Sequence, residues 1–123
     1  MSNNKINYND IHNVMTTLAD GAAIYTLSNQ GPASEMQYNY AHDFTQSKWA
    51  DYPGPGLYLD EGTTGYTVAH NVLVNAPDWI SQNQTGSNTL IDNSGSSPTT
   101  ILAAGIEASY ADIKSLTIPI PKF

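Results

Sequence analysis

The sequence predicts an all-β chain wound as a parallel β-helix of about three to four coils, closed by a short C-terminal helix and an extended tail. Three observations carry that expectation. A hexad of the form apolar-x-x-Asn-x-apolar or small occurs at Ile6–Ile11, Met36–Ala41 and Val68–Leu73, with a partial copy at Leu90–Asn93. Its copies begin 30, 32 and 22 residues apart, and Asn13, Asp43 and Asn75 follow the first three asparagines at one fixed offset. Between the hexads runs a second pattern, in which Ala23-Ile24-Tyr25 matches Gly56-Leu57-Tyr58 after 33 residues. Two patterns alternating at similar spacing describe one solenoid turn per repeat, with short strands joined by turns. A β-sandwich whose strands share turn chemistry is the rival reading.

Each element follows from that frame. The hexads supply strands whose apolar residues face inward, and their asparagines can ladder amides from coil to coil. A left-handed corner tolerates Asn and Gly best, so the asparagines are expected at the corners. Tyr25 and Tyr58 hold matched positions and are expected to stack as a structural ladder. Trp79, after Pro77-Asp78, is expected to pack on the next coil. Ser87–Thr100 is rich in Gly, Ser, Asn and Thr and reads as a mobile loop or a worn coil, with Asn88 adding little to stability. Ile101–Leu116 is the plausible helical stretch, with Ser109 as N-cap and Asp112 as its N3 partner. Ile118-Pro119-Ile120-Pro121 cannot be helical and should lie extended. The chain reads as one domain, with coils over about 5–95 and a cap over about 96–123.

Composition narrows the function classes. Charged residues make up 12% of 123 positions and hydrophobic ones 40%, but eight tyrosines and two tryptophans supply burial that disordered chains lack. Eleven acidic residues face four lysines, for a net charge of -7. That balance argues against nucleic acid and against an anionic membrane surface as partners. It also disfavours polyuronate lyases, which need basic groups beside substrate carboxylates. Cysteine is absent, which removes disulfides and thiolate metal sites. No signal-peptide h-region opens the chain, so it reads as cytoplasmic or as beginning downstream of an export signal. The Asn83-Gln84-Thr85 sequon is taken as chance.

Three runs carry a resemblance: Asn9–Val14, Leu18–Tyr25 and Gly56–Gly62, followed by Ala104–Glu107 and Tyr110–Ile113. Together they resemble the C-terminal portion of bacterial right-handed parallel β-helix glycoside hydrolases, the family that includes an α-L-fucosidase and endo-xylanases. Leu18–Tyr25 looks like a "DGGAIY" segment and Gly56–Gly62 like a "GIYLDEG" segment of such proteins. The resemblance implies a right-handed fold, a carbohydrate partner, no cofactor, and catalytic carboxylates at Asp20 and Asp60.

Glycoside hydrolysis needs one carboxylic acid and one carboxylate, and neighbouring coils stack at the spacing a retaining pair requires. Like charges that close would raise one pKa. Glu61, on the opposite strand face, and Trp49, on a rigid insertion running into Pro53–Gly56, are candidate substrate-binding residues. His12 and His42 are candidates if their face lines the cleft. The three histidines sit in offset registers, so no metal site is expected. The first coil, around Ile6, Tyr8 and Ile11, presents an open edge, which predicts a homo-oligomer, most simply a dimer.

Overall fold

A computed structural model describes residues 2–17, 19–52 and 54–115. Ten short strands arise in chain order: β1 (Lys5–Asn7), β2 (Asp10–His12), β3 (Ile24–Thr26), β4 (Asn29–Gln37), β5 (Tyr40–His42), β6 (Leu57–Leu59), β7 (Thr64–Ala69), β8 (Val72–Leu73), β9 (Ile80–Gln82) and β10 (Thr89–Ile91). They form three parallel sheets in the orders β1-β4-β7-β10, β2-β5-β8 and β3-β6-β9. Every third strand therefore stacks on its counterpart one turn later, which is a parallel β-helix. Three coils are complete. A fourth starts with β10 and continues through a parallel bridge from Val72 to Ser94, so the Ser-rich stretch is a worn coil and not a bare loop.

The pairing register is the repeat spacing made physical. Ile6 pairs with Met36, Met36 with Val68, and Val68 with Leu90. Ile24-Tyr25-Thr26 pairs with Leu57-Tyr58-Leu59. Alternation then sends Met36, Leu57, Leu59, Val68 and Leu73 into a fully buried interior, while Val72, next to Leu73, is buried outside that cluster. Each such side chain contributes about 1.5–3 kcal/mol by leaving water. Ile6, Ile11 and Ala23 are only partly buried against this core, because β1, β2 and β3 are edge strands of their sheets. Tyr8 does not join them as expected: it faces outward with 47% exposure.

The asparagine ladder is present and spans all four coils. Asn9 Nδ2 donates to Asn39 Oδ1 at 2.8 Å, Asn39 Nδ2 to Asn71 Oδ1 at 2.9 Å, and Asn71 Nδ2 to Asn93 Oδ1 at 2.8 Å. The same oxygens accept the backbone N–H groups of Asn9, Asn39 and Asn71. The fixed-offset residues Asn13, Asp43 and Asn75 take the expected left-handed φ, but at the ladder it belongs to the residue before each asparagine, namely Tyr8, Tyr38, His70 and Asp92. Each asparagine thereby turns its amide inward, and Asn39 and Asn71 are fully buried. At another corner Gly65, at φ 89°, is required: a Cβ there would lie 2.1 Å from the Gly31 carbonyl oxygen.

The C-terminal helix comes earlier than expected. α1 spans Pro98–Ala103, with Ser97 as N-cap accepting from Thr100 N–H at 3.4 Å and Pro98 in the first turn. A Ser-Pro start satisfies a free N–H and presets φ. Ala104 is already extended, and Ser109 lies within a 3-10 segment, Ala108–Ser115. The expected extended tail at 118–121 lies outside the described residues, as do Pro53 of the insertion and Leu18.

Candidate active site

The β3-β6-β9 sheet builds the candidate site. Tyr25 occupies the outward position of β3, between buried Ile24 and Thr26. Tyr58 pairs with it one coil on. Their rings meet edge to face, with centroids 5.3 Å apart and planes at 88°, so they are not the parallel stack the repeat suggested. The reason is a hydrogen bond: Tyr25 Oη donates to Asp60 Oδ2 at 2.5 Å. Asp60 directly follows β6, and Asn83 Nδ2, beyond β9, donates to its other oxygen at 2.8 Å. Both carboxylate oxygens are held, and Asp60 is only 8% exposed. Below it Thr63 Oγ1 donates to Thr26 O at 3.0 Å, and Thr63 N–H to Asp60 O at 2.8 Å, which fixes the turn that presents the carboxylate.

The electrostatics follow from those bonds. The Tyr25 hydroxyl, then the Asn83 amide, hold the Asp60 carboxyl below its ordinary pKa against the opposing effect of burial. Asp60 is therefore ionised, not the protonated member of a pair. The Tyr25 phenol is pushed up to about 12, first by that hydrogen bond, then by burial and by the charges of Asp60 and Asp20. Burial, then the charges of Asp60 and Asp20, also raise Tyr58. Asp20 thus acts on the same two phenols as Asp60.

Asp20 precedes β3 in the chain, and Asp60 follows β6. Gly54 lies against Gly21, with only 2.9 Å between a Cβ at Gly54 and the Gly21 carbonyl oxygen, so Asp20 sits at the N-terminal side of the strand register. Asp60 N–H donates to Thr26 O at 2.9 Å and Ser28 N–H to Glu61 O at 2.9 Å, which sets Asp60 beside Leu27 at the other end. Asp20 is exposed and left-handed, at φ 54°.

The other expected residues are distributed more widely. Glu61 is exposed next to Asp60. Trp49 is 75% exposed, with Lys48 Nζ 4.7 Å from its ring, so it does not cover the core. Trp79 packs against Gly95 of the fourth coil, as expected. His12 and His42 belong to the β2-β5-β8 sheet, where they stack at 5.2 Å. His42 is fixed by Asp10 at 3.0 Å and Asp43 at 2.9 Å. Among the described residues no group of three or more His, Cys, Asp or Glu side chains could hold a metal ion, and no helix is long and apolar enough to cross a membrane. Sequence reasoning passed over Tyr25 and Asn83 as site residues. The first looked like one rung of a repeat, and the second like a stray sequon.

No protein-family model matches the chain, and no curated protein matches it. A solved structure named "Glycoside hydrolase" superposes with a TM-score of 0.74 at 29% identity, over 91% of this chain. The fold is glycoside-hydrolase-like. That match covers 19% of the other chain, so this glycoside-hydrolase-like β-helix spans about a fifth of the longer protein's length.

Proposed function

We propose that these coils carry the catalytic carboxylates of a glycoside hydrolase acting on a poly- or oligosaccharide, with Asp60 as the ionised base and Asp20 as the general acid. The observation that carries this reading is the Tyr25–Asp60–Asn83 arrangement. It holds a nearly buried carboxylate charged, with a second acid acting on the same tyrosines. In the reaction Asp20 gives its proton to the glycosidic oxygen as the bond to the anomeric carbon breaks. Asp60 takes a proton from the attacking water, whose oxygen bonds that carbon. Asp20 precedes β3 and Asp60 follows β6, and with Asp60 as the base towards water the proposed outcome is hydrolysis with inversion. Glu61 and Trp49 are proposed to contact sugar outside the bond being cleaved, and His12 and His42 only where a longer chain of sugars reaches their sheet.

An aryl-glycoside and oligosaccharide panel tests the activity, and 1H NMR of the first anomer released tests the stereochemistry. Retained anomeric configuration would remove the role given to Asp60. Turnover unchanged in Asp60→Asn would remove the site altogether.

A non-catalytic carbohydrate-binding role is the second reading, favoured by the wide exposure of the Trp49 indole. Calorimetric titration with inactive Asp60→Asn separates binding from turnover. For assembly, we propose a dimer joined through the edge strands β1, β2 and β3. Light scattering at twice the 13.3 kDa chain mass supports it, and a monomer mass rejects it. A charge at Ile6 should shift that dimer towards monomer or aggregate.

A further inference from the structure

The corner between β1 and β2 recurs between β4 and β5 and between β7 and β8, and it carries a ring each time. Tyr8, Tyr38 and His70 occupy it at φ 60°, 55° and 55°. Glycine or asparagine would take this left-handed conformation with less strain. The rings instead stack along the solenoid: Tyr8 on Tyr38 at 5.0 Å and 6°, and Tyr38 on His70 at 5.0 Å and 19°. Both faces of Tyr38 are thereby covered, and the ring edges are left to line a groove.

A groove of about 490 Å³ lies over these edges, and Ser97, Thr99 and Ala103 form its second wall. That wall is fastened to the ladder. Thr100 Oγ1 donates to His70 O at 3.3 Å, and Gly105 N–H donates to Tyr8 O at 2.8 Å. The size suits a small organic ligand, for which pockets of roughly 300–1,000 Å³ are typical.

Charge and hydrogen bonding choose the ligand class. The groove's acidic group is Asp92, 4.0 Å from His70 Nδ1, and the walls contain no Lys. With a chain charge of -7, an anionic ligand is disfavoured. Phenol and alcohol hydroxyls both donate and accept, and ring edges with the Ala103 methyl add apolar surface. A ligand that matches them is uncharged, rich in hydroxyls and faced with C–H groups. The 5.0 Å repeat of the rings is close to the advance per residue of an extended pyranose chain.

We infer that this groove, between the Tyr8–Tyr38–His70 ladder and α1, is a binding site for a neutral oligosaccharide, separate from the Asp60 site on the β3-β6-β9 sheet. The inference does not depend on Asp60 being catalytic. It gives the β-helix a second hold on a glycan, on a different corner from the paired acids.

The test is a 1H–15N NMR titration of the full chain with cellotetraose and xylotetraose, using trigalacturonate as the anionic control. At least one neutral probe should shift the amides of Tyr8, Tyr38, His70 and Thr99, and trigalacturonate should not. Ala103→Trp, which fills the groove from an exposed position, should weaken binding by about tenfold or more. His70→Asn suits the left-handed corner and removes a ring, so it should lose affinity without losing thermal stability. Asp60→Asn should bind at this groove like the unaltered chain. No shift at these amides with either neutral probe at millimolar concentration overturns the inference. So does equal binding by Ala103→Trp, or shifts confined to residues around Tyr25 and Asp60.

Discussion

The asparagine ladder and the Asp60 site both bury polar side chains against the same solenoid, yet they are built on opposite terms. The ladder is neutral and repeated. Each side-chain amide donates to the next coil and accepts from the one before, so Asn39 and Asn71 are fully buried with their side-chain polar atoms satisfied. The Asp60 site is charged and occurs once. Its carboxylate has a phenol on one oxygen and an amide on the other, drawn from three different coils. Repetition lets a buried polar group recur with its desolvation offset, because each interior rung has the same kind of partner before and after it. A single charge needs partners that break the repeat, and Tyr25 meets Tyr58 edge to face for that reason.

Removing the charged element should produce the largest effect. Asp60→Asn and Asp20→Asn are each expected to lower any glycosidase rate by about 10³-fold, within the range of lost acid–base catalysis, while circular dichroism stays unchanged. Full turnover in either variant would make that carboxylate as dispensable as a surface residue.

Breaking the repeat should damage stability instead. Gly65→Ala, forced against the Gly31 carbonyl oxygen, should cost about 3 kcal/mol or more. Asn39→Ala should cost about 3 kcal/mol, since it strands the Asn9 N–H and the Ile6 carbonyl inside the coil. Asn88 is not the bystander its polar neighbourhood suggests: it accepts from Tyr66 N–H at 3.1 Å and donates to Thr63 O at 3.0 Å. Asn88→Ala should therefore cost about 1 kcal/mol. Thermal melts that rank Asn88→Ala above Asn39→Ala would erase the distinction between ladder and periphery.

The subtlest test joins the two regions through Tyr25. Tyr25→Phe keeps the ring and removes the donor, so the Asp60 carboxyl pKa should rise, as read by 13C NMR of the side chain. A pKa that stays put would place the control of Asp60 with Asn83 alone. Stability should respond at both pH extremes. Asp60 has a lowered folded pKa, so its contribution is present above the unfolded value and lost as pH falls through the folded one. Tyr25 has a raised folded pKa, so its contribution holds below 10.0 and is lost as pH climbs towards about 12. Tyr25→Phe should flatten both limbs of a denaturation profile.

Much of the fold was legible in the chain because a solenoid writes its geometry as sequence spacing. The offset from Ile6 to Met36 to Val68 is the strand register itself. The helix was less legible. Ser97-Pro98 starts it inside a stretch whose glycines and serines read as loop, while Ser109, the better-looking cap, lies in a 3-10 segment. The site was half legible. Asp20 and Asp60 stood out through motif resemblance, whereas Tyr25 was hidden by fitting the repeat too well.

By itself, then, the sequence determined the number of coils, the inward face of each strand and the amide ladder, since all three depend on periodicity along one chain. Tertiary structure decided which residue takes the left-handed corner, that Tyr25 turns its hydroxyl to Asp60, and that Asn83 reaches the same carboxylate from the next coil. Those outcomes depend on distances between residues 35 and 23 positions apart. Periodicity sets which coils are neighbours, but only packing in three dimensions sets which side chains on them meet.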